Sequence, residues 1–251
     1  MNTPRIRSMI SVCLATYNGG AYAAEQLHSV LAQLGEDDEV VVADDASNDD
    51  TLDVVRGLDD SRIRLLPPVG KLGVIRNFER ALSTARGEII FLCDQDDVWL
   101  PGKVSCCVSA LRAYLLVVTD CRVVDGELNV THESFFRLRN SGPGIIHNLW
   151  RNSYLGCCMA FRRELLETAL PFPARLPMHD MWLGMLAETQ GRTYFLPEAL
   201  SLYRRHGGNA SDTTDKSTSS LGRMIAYRAR LATALFCRSF ETWRRANRAQ
   251  T

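Results

Sequence analysis

Asp94, Asp96 and Asp97 stand within four residues of one another in the stretch FLCDQDDVWLP (91–101), directly after an apolar run. Carboxylates crowded in this way repel, and the charged form is tolerable only with solvent, basic partners or a divalent cation. Hard oxygen donors suit magnesium or manganese, and magnesium takes one or two protein carboxylates while phosphate oxygens complete its octahedron. An Asp-x-Asp of this kind therefore fits a metal bound to a diphosphate. A solvated acidic loop, with one Asp capping a helix opened by Pro101, fits the same residues. Two more polar groups follow apolar runs, Thr16-Tyr17-Asn18-Gly19 and Asp44-Asp45. Arg76 lies near the start of the helical pattern LGVIRNFERAL, where the helix dipole disfavours a cation. A bound anion would compensate it, as would an ion pair with Glu79 or Glu88. No GxGxxG follows the first strand and no GxxxxGK[ST] occurs, so neither a dinucleotide fingerprint nor a P-loop explains these residues.

The elements that must position them are legible as periodicity. Apolar runs at 9–15, 39–44, 62–66 and 88–93 alternate with helical patterns at about 21–34, 50–58 and 73–85 and one beginning near Pro101. Ser47, Asn48 or Asp49 is placed to cap the second helix. Repeated βα units with continuously apolar strands predict a doubly wound, mostly parallel sheet covered on both faces. Such sheets bind ligands beyond the carboxyl ends of their strands, which is where the three polar groups fall.

Composition limits the function classes. A chain of 251 residues, 46% hydrophobic and 23% charged, can bury a full core and suits one large α/β domain with or without a small appendage. Its 29 basic residues balance 29 acidic ones, which argues against a general nucleic-acid binder. No apolar run approaches the roughly 18 residues of a membrane span, and MNTPRIRSMISV lacks the apolar segment of a signal peptide. A cytoplasmic location is expected. The eight cysteines, at 13, 93, 106, 107, 121, 157, 158 and 237, have no CxxC spacing and mostly apolar neighbours, so they read as small core hydrophobes and not as zinc ligands. The sequons at Asn129 and Asn209 carry weight only in a secreted chain.

The stretches ISVCLATYNGG, VVVADDASNDDT, KLGVIRNFERAL, GEIIFLCDQDDVWLPGKV, SYLGCCMAFRREL, MHDMWLG and SLYRRHGGN occur in the order found in family 2 glycosyltransferases. Over about residues 8–210 the chain resembles that family, most closely its bacterial rhamnosyltransferase-like members. The resemblance implies a GT-A fold over 1–215, with nucleotide-sugar binding in about 8–125 and the acceptor side in about 126–210. It implies that Thr16, Tyr17, Asn18, Asp44, Asp45 and Gln95 line the nucleotide site, with Asp45 bonding a pyrimidine base, and that Arg76 and Asn77 surround the diphosphate and sugar. Asp96 is the implied main ligand of magnesium or manganese, supported by Asp94. His206 is implied to approach the metal or diphosphate, a structural loop histidine being the other reading. Gly156, Cys157, His179 and Trp182 fall on the acceptor side. Many relatives have Glu-Asp where this chain has His179-Asp180, which leaves the candidate base in place but puts the acceptor contacts in doubt.

The chemistry so implied is transfer from a nucleoside-diphosphate sugar, dTDP-rhamnose or a UDP-hexose, to a hydroxyl of a surface glycan or lipid-linked acceptor. Negative charge develops on the departing diphosphate, and the attacking hydroxyl must lose a proton to a general base. Asp180 is the candidate base, at the start of a helical pattern whose dipole favours its ionised form; it also suits a helix cap. A phosphatase with an Asp nucleophile is disfavoured, because its motif belongs after the first strand and not the fourth. A non-catalytic nucleotide-sugar binder stays open. The remaining segment, 216–251, predicts an amphipathic basic helix over 219–248. Leu221, Ile225, Leu231, Ala232, Leu235, Phe236, Phe240 and Trp243 form its apolar face, joined by Arg228, and Arg223, Arg230, Arg238, Arg244, Arg245 and Arg248 gather opposite. Docking on the domain and peripheral contact with the inner face of a membrane are both consistent with that pattern.

Overall fold

Strand β1 (Ile10–Thr16) leads into helix α1 (Gly20–Leu31), β2 (Glu39–Asp44) into α2 (Thr51–Gly57), and β3 (Ile63–Leu65) into α3 (Val74–Thr84), before β4 (Ile89–Asp94). A computed structural model describes residues 8–206 and 221–248, with the side chains of 226–238, 240, 241 and 244 in the last helix. The four strands are parallel, in the spatial order β3-β2-β1-β4. β1, β2 and β4 are mostly apolar because both their faces are covered, whereas the edge strand β3 carries Arg64 and is only partly buried. Along β4, Ile90 and Leu92 enter one core with Phe78 and Leu82 of α3, while Phe91 and Cys93 enter the other with Leu27 and Val30 of α1. Each such side chain, fully buried, contributes about 1.5–3 kcal/mol.

Beyond β4 the chain departs from simple alternation. Val98–Trp99 forms a short strand, β5, before α4 (Lys103–Ala110), β6 (Leu116–Val124), β7 (Val130–His132), α5 (Phe135–Arg139) and α6 (Ile145–Trp150). A 3-10 turn (Gly156–Cys158) then precedes β8 (Met159–Arg162), α7 (Glu164–Ala169), α8 (His179–Thr189), β9 (Thr193–Arg204) and α9 (Leu221–Arg248). The sheet continues from β4 as β8-β6-β9-β5, with β7 paired to β6. β8 is antiparallel to both its neighbours and β6 runs parallel to β9, so six of the nine strands share one direction. Pro101 does not open α4 as expected: Gly102 takes φ 92°, a left-handed turn that delays the helix to Lys103.

Six of the eight cysteines are buried, Cys106 is partly covered and Cys237 exposed, and all are free thiols. α9 packs on the domain through the buried Leu231 and Leu235. The face read from periodicity is thus rotated: Ala232, Phe236 and Phe240 point outward, while the guanidinium of Arg238 turns inward to the carbonyls of Thr168 (2.6 Å), Leu170 (3.2 Å) and Pro171 (2.9 Å). The side chains of Leu221, Arg223, Ile225, Trp243, Arg245 and Arg248, the sequon at Asn209 and the expected boundary at 215 lie outside the described residues. Among those described, no helix is long and apolar enough to cross a membrane.

Candidate active site

The register that pairs Thr16 with Asp44 and Ala15 with Asp94 brings the ends of β1, β2 and β4 to one edge. Thr16 Oγ1 donates to Asp44 Oδ1 (2.8 Å), and Asp44 also accepts from the N–H (2.8 Å) and hydroxyl (2.6 Å) of Ser47. Asn18, in the left-handed region at φ 49°, donates its N–H to Ser47 Oγ and accepts from the Asn48 N–H, both at 2.9 Å. The Gln95 amide brackets the Tyr17 backbone, accepting from its N–H (2.8 Å) and donating to its carbonyl (3.0 Å). Asp44, Asn18 and Gln95 therefore shape the loops at this rim of the sheet. The Tyr17 ring is the open surface, 41% exposed, with the ammonium of Lys71 3.9 Å from its centre.

Asp45 accepts from the Leu72 N–H (2.5 Å) and from the Gly73 N–H through both oxygens (3.0 Å each). It thereby satisfies donors left over at the start of α3 and fixes the loop that carries Lys71. Arg76 and Asn77 do not stand where the sequence expectation put them. Arg76 is spent on Glu79 and on the carbonyls of Phe172 (3.2 Å) and Pro173 (3.3 Å), and the buried Asn77 donates to Ala43 O (2.5 Å). Both bind α3 to its neighbours. Lys71 is the exposed cation at this rim, and sequence reasoning passed over it because a loop lysine has neither periodicity nor a dipole argument to mark it.

The acidic loop is held by the end of β9. Buried Arg204 donates its N–H to Asp97 Oδ1 (3.0 Å) and its guanidinium to Asp96 O (2.8 Å) and Gly126 O (2.9 Å), and it pairs with Glu25. His206, two residues on, places Nε2 2.9 Å from Asp96 Oδ2 and stacks on Tyr22 (4.7 Å, 28°). Asp97, the third carboxylate of the loop, is buried. Its buried Oδ2 has no hydrogen-bond partner, and the Cys157 thiol lies close to the carboxylate. One ligand atom each from Asp94, Asp97 and Cys157 lie within 4.8 Å of one another, a group able to hold a metal ion. Below it the buried Lys103 ammonium donates to Cys157 O (2.7 Å) and Ser201 Oγ (2.5 Å).

α8 brings the remaining carboxylate. Burial, then the charges of Asp96 and Asp180, push the Asp94 carboxyl up to about 7, so Asp180 lies within electrostatic reach of the acidic loop. Asp180 is itself buried in the first turn of α8 and accepts from the Met181 N–H (2.6 Å). Burial raises it to about 6, opposed by backbone N–H groups that include Gly156. His179 stacks on Phe78 (4.3 Å, 24°), is lowered to about 4 by burial, and has no partner for Nε2. A Cβ on Gly156 would lie 3.3 Å from that nitrogen, so the glycine permits the close approach. Trp182 is a core residue and not an acceptor contact: two residues after Asp180 it faces the opposite side of α8, fully buried, donating to Ala169 O (3.0 Å). The Cys157 side chain is likewise interior. Tyr227 of α9 was not anticipated here; it is partly buried, and burial and the Asp180 charge raise its hydroxyl.

A curled, mostly parallel sheet with carboxylates at its strand ends and an aspartate at the start of α8 is an architecture of the GT-A fold. Residues 11–170 match Glycosyl transferase family 2, and the chain belongs to that family. It is 26% identical to dTDP-rhamnosyl transferase RfbG of Shigella flexneri, over 78% of this chain and 72% of that one. It is 25% identical to UDP-Glc:alpha-D-GlcNAc-diphosphoundecaprenol beta-1,3-glucosyltransferase WfgD of Escherichia coli, over 72% of this chain and 70% of that one. Among solved structures, S. aureus TarS 1-349 in complex with UDP-GlcNAc matches with TM-score 0.70 and 21% identity, over 90% of this chain. The match spans 66% of that TarS chain, slightly less than two thirds. Glucosyl-3-phosphoglycerate synthase from Mycobacterium tuberculosis, in complex with Mn2+, UDP and glucosyl-3-phosphoglycerate, matches with TM-score 0.60 and 20% identity, over 92% of this chain and 80% of that one.

Proposed function

We propose that this chain is an inverting, metal-dependent transferase that moves a sugar from dTDP-rhamnose or a UDP-hexose to a hydroxyl of a surface glycan or lipid-linked glycan. The observation that carries this reading is the convergence of Asp94 and Asp96, at the end of β4, with Asp180 at the start of α8. Two carboxylate sets with separate supports, facing one another, provide a place for the diphosphate and a place for the attacking hydroxyl. The names of RfbG and WfgD support the donor and acceptor classes.

The pyrimidine stacks on Tyr17. Asp45 uses three of roughly four acceptor positions on the backbone of Leu72 and Gly73, which leaves one for the base N–H. Lys71 lies where an anion gains from it. Asp96 would hold magnesium or manganese, with Asp94 and His206 beside it. The donor set fits: Asp94 and Asp96 offer hard carboxylate oxygens, and His206 Nε2 stands 2.9 Å from Asp96 Oδ2. When bound, the ion neutralises charge developing on the departing nucleoside diphosphate. Asp180 takes the proton of the acceptor hydroxyl as that oxygen attacks the anomeric carbon opposite the diphosphate. Gly156 and the Met181 N–H orient the carboxylate for that role, and neutral His179 borders it. Peripheral membrane contact through α9 belongs to the same proposal.

Release of nucleoside diphosphate from each donor, with and without acceptor glycan, tests the reaction, and proton NMR of the product reads its anomeric configuration. Acceptor-stimulated release with inversion is expected. Donor binding without release would reduce the chain to a nucleotide-sugar binder, and a retained configuration would exclude direct attack assisted by Asp180.

A further inference from the structure

A groove of about 260 Å³ runs between the loop that leads into α8 and the inner side of α9. Its floor is apolar, with Leu176, Pro177, Leu231 and Ala234, and its rim carries two arginines, Arg175 and Arg230. Both arginines are exposed, and neither has an ion pair or hydrogen bond among the described residues. Arg228 and Arg238 of the same helix are by contrast committed, to Trp150 O and to the carbonyls of 168–171. Two free guanidinium groups over an apolar floor are matched by a ligand with two adjacent anionic groups and a hydrocarbon tail.

The groove is lined by residues that lead directly into α8, the helix whose first turn holds Asp180. Pro177 lies three residues before Asp180 in the sequence. On α9, Tyr227, Arg230, Leu231 and Ala234 have the i, i+3, i+4, i+7 spacing of one helical stripe. The stripe begins at Tyr227, which feels the Asp180 carboxylate, and ends in the groove. A tyrosine beside the base offers an aromatic face to a sugar ring and a hydroxyl to its polar edge.

We infer that this groove binds the diphosphate and the first tail carbons of a lipid-diphosphate-linked sugar, with Arg175 and Arg230 on the diphosphate and the sugar reaching Asp180 past Tyr227. The assignment rests on the glycosyltransferase reading, and it adds a second diphosphate site, separate from that of the donor at Asp96. The groove takes only the start of a lipid tail, and the rest leaves it along α9.

The test uses the full chain with farnesyl diphosphate, farnesol and inorganic diphosphate as probes. EDTA is present, so that no diphosphate is drawn to a metal at Asp96. Farnesyl diphosphate is expected to bind more tightly than either of the other two, because each carries only half of the recognition. Arg175→Ala and Arg230→Ala should each weaken it about tenfold, while Asp96→Asn leaves it unchanged. Ala234→Trp, which fills the floor, should weaken farnesyl diphosphate and spare inorganic diphosphate. Metal-dependent binding of nucleoside diphosphate, measured without EDTA on the Arg175, Arg230 and Ala234 variants, should stay at the wild-type level. Farnesyl diphosphate affinity unaffected by both arginine substitutions, or equal to that of inorganic diphosphate, overturns the assignment. Loss of nucleoside diphosphate binding in the wild-type chain would instead strike the underlying reading, so the two failures are distinguishable.

Discussion

At the scale of single residues, the candidate site consists of carboxylates in different electrostatic circumstances. Asp96 sits in a crowded acidic loop, and Asp96→Asn removes both a hard ligand and a source of repulsion. Manganese-dependent binding of nucleoside diphosphate should vanish in calorimetry while the melting temperature holds or rises; undiminished metal-dependent affinity would remove Asp96 from the ligand set. Asp180 is different. Its proton affinity is raised, so the folded protein holds that proton more tightly than the unfolded chain. The stability contributed by the neutral acid is fully present below the ordinary carboxylate range and lost as pH rises through about 6. Asp180→Asn, a permanent mimic of the neutral form, should therefore melt higher than wild type at pH 8 and no differently at pH 3, with a gap on the order of 1–3 kcal/mol. The same variant should keep donor affinity and lose roughly 10²- to 10⁴-fold in transfer rate. In the wild type the rate should climb through pH 6 as the base ionises, and the variant should lack that limb. The positions of Asp94, Asp96 and Asp180 at a strand end and a helix start were legible in the sequence because an apolar run and a helical pattern mark those boundaries. Of the two readings of Arg76, the ion pair with Glu79 is the one formed, and the further partners of Arg76 and Asn77 are backbone carbonyls of distant segments that nothing in LGVIRNFERAL announces. Tyr227 could not be linked to Asp180 from sequence, since the link exists only after α9 has docked.

At the scale of elements, α8 carries the proposed base, Asp180, and meets its neighbour at a glycine. Its Gly184 faces the ring of Tyr154, where an added Cβ would come within 2.3–2.4 Å of three ring carbons. The Tyr154 hydroxyl donates to Glu188 Oε1 (3.1 Å), which also accepts from the Gly144 N–H (2.9 Å), so the ring cannot retreat without breaking these bonds. Helix propensity alone favours Gly184→Ala by roughly 1 kcal/mol. Overpacking costs typically about 1–3 kcal/mol and is the larger effect here. Denaturant melts should show Gly184→Ala less stable than wild type, and a gain in stability would mean that the ring yields cheaply. The first four strands and their helices were readable because β1, β2 and β4 are apolar on both faces and the short β3 falls at the regular βα spacing between them. β5 and the insertion of β8 were not, because two residues carry no periodicity and an antiparallel strand within a parallel sheet differs from its neighbours in partner and not in composition.

At the scale of the whole molecule, a chain with balanced charge concentrates its basic residues at one end. Residues 221–248 contain seven arginines and one glutamate, although the full sequence has 29 basic and 29 acidic residues. The domain covers one side of α9, at Leu231 and Leu235, and leaves the other open: Phe236 is 73% and Phe240 49% exposed, four residues apart, with Arg230 and Arg244 also exposed. Arg228 joins this helix to α6, whose Trp150 and Ile146 are 77% and 84% exposed. Exposed aromatic side chains among arginines, on elements too polar to span a bilayer, suit a helix lying in the interface of an anionic leaflet. Each arginine near such a surface contributes about 1 kcal/mol and is screened by salt. That position would place the groove beside Arg230 at the depth from which a lipid-linked acceptor emerges. The full chain should co-sediment with vesicles containing phosphatidylserine and much less with neutral ones, and the bound fraction should fall as salt is raised. Phe236→Ser with Phe240→Ser should weaken binding at least tenfold, through loss of inserted aromatic surface, while leaving the melting temperature near wild type, since neither ring packs fully on the domain. Undiminished sedimentation of that variant would place the lipid contact elsewhere, and absence of binding to anionic vesicles by the wild-type chain would end the membrane role of α9.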